Sequence, residues 1–555
     1  MRHHWGLDLG TSNTGLSRWS SALEKPEFIL LPDVCRNPTS EDPLEAPRLV
    51  PSTTFLVEAP RGLSGFLRRR TLWGQDTQVG RQANEQNEHG LARAYVPNFK
   101  TQLMHEPERP LARFGGSDVT AREIARRYVR ELCRQVKRVT GDRIEEITVA
   151  TPVEAFEAFR VEITQALLAA RVKRVRFVDE PVAAAMGYGL SLAQDEQVLV
   201  VDIGGGTMHV ANIALSVKGA RGGGCRVVAK SGRSIGGNVV DKWLLDAFCE
   251  KLDFDLTPPR GSQASDQWER IVWHRFTLEE ARRVKEALFF KEEESFLITP
   301  PESLRRGDSQ KKADTLRVRR DDIVGILRER GFYSALTRCI DEVLAVDARV
   351  DDVLVVGGST LLPGVYKLLE ERFGRDRVRA WLPFEAVSYG ACVFAAGAFE
   401  HHDYVLHDYA IVTHNAQTKQ KEYTVIVPRG TRFPTPGPVW QQKLVPTCAL
   451  GEPETFFKLV VCEIGRASDS EMRLHFDEAG NLKKLGRQSG DSVIVPLNEE
   501  NPTLGTINPP HEPTDRRPRL EVGFTVNADR WLCVRVDDLL SKKRLLDDVP
   551  VVRVL

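Results

Sequence analysis

The chain has 555 residues, more than a single hydrophobic core supports, and that length accommodates about three or four units of ordinary size. Its 77 basic and 77 acidic side chains balance, which removes any global electrostatic case for a nucleic-acid or anionic-membrane partner. Nine scattered cysteines include no C-x-x-C pair, a pattern that argues against a zinc module or disulfide framework and fits a reducing, cytoplasmic setting. No apolar stretch approaches the ~18 residues of a membrane-crossing helix, and "MRHHWGLDLG" lacks a signal-peptide core. Basic runs such as "GFLRRR" and "SLRRGDSQKK" read as solvated loops.

The opening "HWGLDLGTSNTGLSRW" predicts a strand ending near Asp8, a turn through Gly10, Thr11 and Ser12, and a return strand. "TAREIARRYVRELCRQVKR" predicts a helix: Thr120 and Glu123 stand in capping-box register, and Ile124, Tyr128, Leu132 and Val136 recur at i, i+4. "EEITVATP" reads as a strand and "AFEAFRVEITQALLAA" as a helix with Phe156, Phe159, Ile163 and Leu167 on one face.

"VLVVDIGGGTMHVANIAL" then repeats the opening pattern, with Asp202 before Gly204, Gly205, Gly206 and Thr207. Three glycines permit a backbone that aims several N–H groups at an anion, although a lone GGG equally makes a tight hairpin. "RFTLEEARRVKEALFF" predicts a helix with Thr277 and Glu280 as a second capping box. In "DDVLVVGGSTLLPGVYKLLEERFG" a strand runs into Gly357, Gly358, Ser359 and Thr360 and then a helix. The repetition suggests a duplicated lobe, and alternating strands and helices up to about residue 400 predict α/β layers with ligands at the strand ends. Beyond "EHHDYVLHDYA", which reads as a linker, come short runs such as "EYTVIVP", "TFFKLVVCEI", "SVIVPL", "RLEVGFTV" and "WLCVRVDD" separated by turn residues, a β-sandwich texture.

Taken in order, "GLDLGTSNTGL", "VATPVEAFEAFR", "FVDEPVAAAMGYG", "VVDIGGGT", "VLVVGGSTLLPGV" and "FEAVSYGACVFAAGAF" resemble the two phosphate loops, the adenosine segment and the connecting segments of the seventy-kilodalton heat-shock (DnaK-type) chaperones, within the actin-like ATPase superfamily. "YTVIVPRGTRFPT" and "RPRLEVGFTVNADRWLCVRVDD" resemble parts of that family's peptide-binding domain. The resemblance implies a two-lobed α/β ATPase domain with a duplicated ribonuclease H-like core over residues 1–400, a linker at 401–408 and an all-β sandwich over 409–555. It implies ATP or ADP with Mg²⁺ as cofactors. Asp8 and Asp202 would hold the metal through its water shell, since magnesium gives up water reluctantly. Gly10, Thr11, Ser12 and Asn13 would clasp phosphates from one lobe and Gly204, Gly205, Gly206 and Thr207 from the other, with Gly236, Gly237, Lys285, Gly357, Gly358 and Ser359 around the nucleoside. Lys100 and Glu180 would orient the attacking water, with Asp202 and Thr207 beside them. Pro152 and Arg160 match residues that relay between nucleotide and linker, and Arg176 matches one that docks J-domain proteins.

Three departures qualify that likeness. His209 stands where the family has aspartate, and a neutral imidazole supplies no carboxylate charge, so slowed hydrolysis with retained binding is expected. On the adenosine side Arg282, Phe289 and Leu361 replace a glutamate, a serine and a base-stacking arginine, so apolar contact would hold the adenine. The sequence stops at "VVRVL", where the β-domain would end, which leaves no residues for a helical lid, and "AIVTHNAQTKQKEYT" is polar where an apolar arch is usual. Such a lidless groove would exchange peptide quickly.

The resulting expectation is an atypical chaperone, a slow ATPase coupled to binding of extended polypeptide, with a J-domain co-chaperone and a nucleotide exchange factor as further partners. The alternative is a nucleotide-gated adaptor with little hydrolysis that holds one dedicated partner. A small-molecule kinase or a filament-forming actin relative fits the β-domain and Lys100 less well.

Overall fold

The computed structural model describes residues 3–40, 46, 48–57, 77–87, 94–114, 117–153, 157–217, 223–252, 264–298, 314–405, 407–414, 421–448, 452–466, 474–476, 482–484, 492–498 and 502–554. The basic runs at 65–70 and 303–312, Phe156, and the polar segment at 415–420 lie outside these residues. The chain divides into two compact units, Met1–Glu400 and His401–Leu555. Among the described residues, no helix is long and apolar enough to cross a membrane.

The first unit is built twice from one plan. In one sheet the strands Trp5–Leu9, Asn13–Ser20 and Lys25–Phe28 form an antiparallel meander, and Glu146–Thr151 and Arg174–Asp179 extend it in parallel from the Trp5–Leu9 side. In the other, Glu196–Ile203, Met208–Ser216 and Gly223–Arg233 form the meander, and Asp352–Val356 and Val378–Arg379 are the parallel additions. The carboxylates occupy equivalent places, because Asp8 and Asp202 are each the penultimate residue of a first strand. Each sheet buries its own core, one around Leu7, Val149, Phe99 and Tyr128, the other around Val201, Val355, Leu336 and Phe248.

The helices follow local signals in one case and override them in another. Thr120 Oγ1 accepts from the Glu123 N–H at 3.3 Å and Glu123 Oε2 accepts from the Thr120 N–H at 3.1 Å, closing the capping box of Ala121–Thr140. Gly141, at φ 78°, ends that helix in the left-handed conformation that favours glycine. The second capping box does not form. Thr277 lies inside the helix Ala264–Ala287, and its hydroxyl bonds back to the Trp273 carbonyl at 2.7 Å, a bond that satisfies it without ending the helix.

Two apolar helices, Glu180–Gly189 and Ala386–Ala396, meet at a backbone-to-backbone contact. A Cβ on Gly390 would sit 1.5 Å from the Ala183 carbonyl oxygen, a distance only glycine tolerates. This contact seats the helix that begins with Glu180.

The second unit contains only strands among its described residues. One sheet runs Lys421–Val427, Asp408–His414, Val461–Arg466, Ser492–Pro496, and the other runs Trp440–Leu444, Leu520–Val526, Trp531–Asp538, Lys543–Arg553. They share a core that includes Tyr409, Ile426, Val461, Phe524 and Val534, the arrangement of a sandwich. Residues 401–408, expected as a linker, begin in the strand Phe399–Tyr404, and Asp408 opens the next strand. Buried ion pairs pin this unit: Arg530 to Asp403 at 2.6 Å, and Arg519 to Asp538 at 3.1 Å.

Gly390→Ala is expected to lower the unfolding free energy by roughly 3 kcal/mol or more, because two backbones must separate to admit a methyl group. Gly325→Ala is the control: it lies in the helix Arg320–Glu329 with nothing within 4 Å of an added Cβ, and a gain of about 0.5–1 kcal/mol is expected there. Thermal and denaturant unfolding of both variants measures the difference.

Candidate functional site

The equivalent strand ends of the two sheets converge on one cleft. The turn Gly10–Asn13 follows Trp5–Leu9, and Ser52 holds it in place: its hydroxyl donates to the Gly10 carbonyl at 2.7 Å and its N–H to the Ser12 carbonyl at 2.9 Å. The turn Gly204–Thr207 is closed by the Gly204 N–H to the Thr207 carbonyl at 2.9 Å. The N–H groups of Gly237 and Asn238 donate to the carbonyls of Gly204 and Gly205, which fixes this turn to the start of the helix Gly237–Lys251 just after Gly236. The two turns face each other. A methyl group on Gly205 would come within 2.6 Å of Ser12 Oγ, and one on Gly206 within 2.9 Å of Thr11 Oγ1.

The third glycine turn closes over the same place. Gly357, at φ 87°, lies so close to Asp202 that a Cβ would stand 2.7 Å from its Oδ1. Gly358 and Ser359 begin the short 3₁₀ turn that follows. A methyl group on Gly237 would sit 2.5 Å from Ser359 Oγ and 3.2 Å from Lys285 Nζ, so these three residues share one wall.

At the floor of the cleft is a charge cluster. Lys100, in the second position of the helix Phe99–His105, is buried and donates to Glu180 Oε1 at 2.9 Å. Glu180 opens its helix directly after the strand Arg174–Asp179 and is also buried. Its other oxygen lies 3.7 Å from His209 Nδ1. Burial first, then repulsion from Glu180, pushes the Asp8 carboxyl up to about 7, while Lys100 partly offsets the effect. Asp8 keeps partial access to water from the cleft, which screens the repulsion without reversing it. Burial also raises Asp202 well above the usual carboxylate range, with Glu180 and Asp8 adding to it. Burial lowers His209, so the imidazole is neutral near pH 7 despite Glu180 and Asp179 pulling the other way.

Beneath the cluster, Asp179 meets Lys230 of the second lobe at 2.8 Å and Arg160 at 3.7 Å, all three fully or almost fully buried. Pro152 is buried nearby in sequence, and the Arg176 guanidinium stacks 4.5 Å from the Phe394 ring.

Sequence reasoning missed several partners. Asp241 is fully buried and takes Lys285 at 2.6 Å and Arg282 at 3.1 Å. Arg282 also donates to Asn238 at 3.1 Å, so the arginine in a glutamate position is committed to a local network. With its amide oriented to satisfy both neighbours, Asn98 accepts from Arg282 Nη2 at 2.9 Å and donates to the Thr11 carbonyl at 3.1 Å, a link from one lobe to the other. Asn98 carried one visible signal, its place in front of Lys100; its left-handed φ of 52° and its partners come from the fold. Asp241 and Lys230 carried none, each being one of several charged residues in its helix or strand. Of the residues expected beside the adenine, Phe289 packs partly buried against the second-lobe core and Leu361 ends the 3₁₀ turn.

These residues fit a magnesium-bound polyphosphate. Three acidic side chains against one ammonium leave an excess of negative charge that a divalent cation neutralises, and the opposed turns meet at Gly205 and Gly206, where a Cβ would fill the space between them.

In the metal-free protein, held in chelator, Asp8→Asn is expected to raise stability by about 1 kcal/mol at pH 8, because it removes a repelled buried charge. The sign follows from the raised folded value: the wild-type carboxyl favours folding fully below 3.8 and loses that contribution as pH rises to about 7. The advantage of the variant should therefore shrink as pH is lowered from 8 toward 5, which melting curves across that range will show.

Comparison with known proteins agrees with this layout. A family model described as Hsp70 protein matches residues 78–467. The Chaperone protein DnaK of Thermus thermophilus is 26% identical over 449 residues, covering 78% of this chain and 66% of that protein. The Chaperone protein DnaK of Thermotoga maritima is 26% identical over 475 residues, covering 80% and 70%. The chain thus spans just under two thirds of the length of the Thermus relative.

Proposed function

The chain belongs to the Hsp70 protein family, and from that premise we propose that residues 1–400 bind ATP or ADP with Mg²⁺ and hydrolyse ATP slowly, coupled to the holding of an extended polypeptide by the β-sandwich of residues 409–555. The observation that carries this reading is the meeting of two equivalent turns, Gly10–Asn13 and Gly204–Thr207, above the buried Lys100–Glu180 pair.

Each residue has a task in the reaction of ATP and water to ADP and phosphate. The N–H groups of the two turns receive phosphate oxygens from both sides, so the transferred group is oriented before the bond breaks. Lys100 neutralises charge gathering on the transferred phosphoryl group and, through Oε1, fixes the rotamer of Glu180. Glu180 accepts a hydrogen bond from the attacking water and aligns it. The Thr207 hydroxyl sits in the second turn beside that path. Mg²⁺, when bound, supplies neutralising charge, and Asp8 and Asp202 are the residues that would hold its water shell. Lys285, Ser359 and Gly237 form the wall against which the nucleoside would rest. Polypeptide and nucleotide then influence each other's affinity by the same factor, as linkage requires. A J-domain protein and an exchange factor are the partner classes that accompany this function, and a reducing cytoplasm suits nine scattered cysteines with no C-x-x-C pair.

A second reading is favoured by His209. The residue opposite Asp202 is a buried neutral imidazole with no carboxylate to give, which suits a nucleotide-gated adaptor that binds without appreciable turnover.

Calorimetric titration with ATP and ADP, with and without Mg²⁺, tests the ligand: binding that needs the cation is expected, and no adenine-nucleotide binding would leave family membership alone. Single-turnover hydrolysis at saturating Mg²⁺ separates the two readings. Lys100→Ala is expected to slow the step on the order of a hundredfold while nucleotide still binds. A wild type no faster than Lys100→Ala selects the adaptor.

A further inference from the structure

His209 is 1% exposed, and among the described residues neither ring nitrogen has a hydrogen-bond partner. Leaving a buried imidazole with both nitrogens unsatisfied is costly, so its position calls for a ligand. Its surroundings identify the ligand's chemistry. His209 lies directly opposite Asp202 in the antiparallel pair of Glu196–Ile203 with Met208–Ser216, so both side chains project to the same face of the sheet. One nitrogen of His209, one oxygen of Asp202 and one of Glu180 all fall within 4.8 Å of one another. Lys100 occupies Glu180 Oε1, while Oε2 faces His209 Nδ1 at 3.7 Å. Gly357 crowds Asp202 Oδ1 from the far side and confines that carboxylate.

We propose that Glu180, Asp202 and His209 form a direct binding site for a divalent transition-metal ion of the Mn²⁺, Co²⁺ or Zn²⁺ class, held by protein atoms without nucleotide. Two carboxylates and an imidazole from three separate segments make a mixed oxygen and nitrogen set. Imidazole is a good ligand for these ions, whereas Mg²⁺ prefers oxygen donors and keeps its water. Because every ligand belongs to the protein and no nucleotide takes part, failure of this site would leave the reading of nucleotide binding untouched, and the converse also holds.

The test uses the full chain, free of nucleotide, with Mn²⁺ alone as probe. Pulsed electron paramagnetic resonance of the bound ion is expected to show coupling to one imidazole ¹⁴N. In His209→Asp that coupling disappears, and the preference for Mn²⁺ or Co²⁺ over Mg²⁺ falls on the order of tenfold or more. His209→Asn serves as the second variant lacking an imidazole, should the aspartate not fold. Mn²⁺ bound with no ¹⁴N coupling overturns the proposal. So does coupling that persists in either variant, which would place the ion on another of the twelve histidines. Equal Co²⁺ affinity in wild type and His209→Asp overturns it as well.

Discussion

The structure of the first unit turns on a concentration of like charge. Asp8, Glu180 and Asp202 are drawn together at the cleft floor with, among the described residues, Lys100 as the cation that answers them, and water is largely excluded. Burying carboxylates in this way opposes folding, because each loses hydration and repels the others. The surrounding core sustains the arrangement: two sheets with separate apolar interiors and two apolar helices locked at Gly390 hold the strand ends where they are. The same repulsion that weakens the fold creates affinity for whatever brings positive charge, so stability and function are opposed at this point.

Duplication explains how one chain makes a site that needs donors on both sides. Each lobe ends its first strand in an aspartate and turns through glycine, and the convergence of equivalent strand ends aims the two turns at each other. The symmetry breaks one strand over. Asp8 is opposite Gly15, whereas Asp202 is opposite His209. That difference puts no side chain opposite the first lobe's carboxylate and gives the second an imidazole within reach of two carboxylates.

The second unit rests on other physics. Its two sheets close over an apolar core, and two ion pairs are buried within the unit, Arg530 with Asp403 and Arg519 with Asp538. A buried arginine whose carboxylate partner was removed would cost several kcal/mol, so these pairs define how the sandwich closes more than they add to its stability. On the strand Lys421–Val427, Tyr423 and Val425 remain exposed beside this core.

Local chemistry determined much of this protein from sequence alone. Thr120 and Glu123 announced a helix start because a capping box involves residues only three apart, and the turns after Asp8 and Asp202 announced themselves by glycines at positions where close approach leaves no room for a Cβ, as at Gly10, Gly205 and Gly206. The duplicated plan and the change to β-texture after residue 400 were legible for the same reason, as both are patterns of neighbours. Thr277 misled because a hydroxyl that caps a helix also bonds back within one, and which it does depends on how far the preceding helix extends. What tertiary structure alone decided were the long-range partners: Lys100 with Glu180, Asp241 with Lys285 and Arg282, Asp179 with Lys230, and His209 with Glu180 and Asp202. Charged side chains look alike in a sequence whether they are solvated or buried, and only the packing of distant segments removes the water and selects the partner that must replace it.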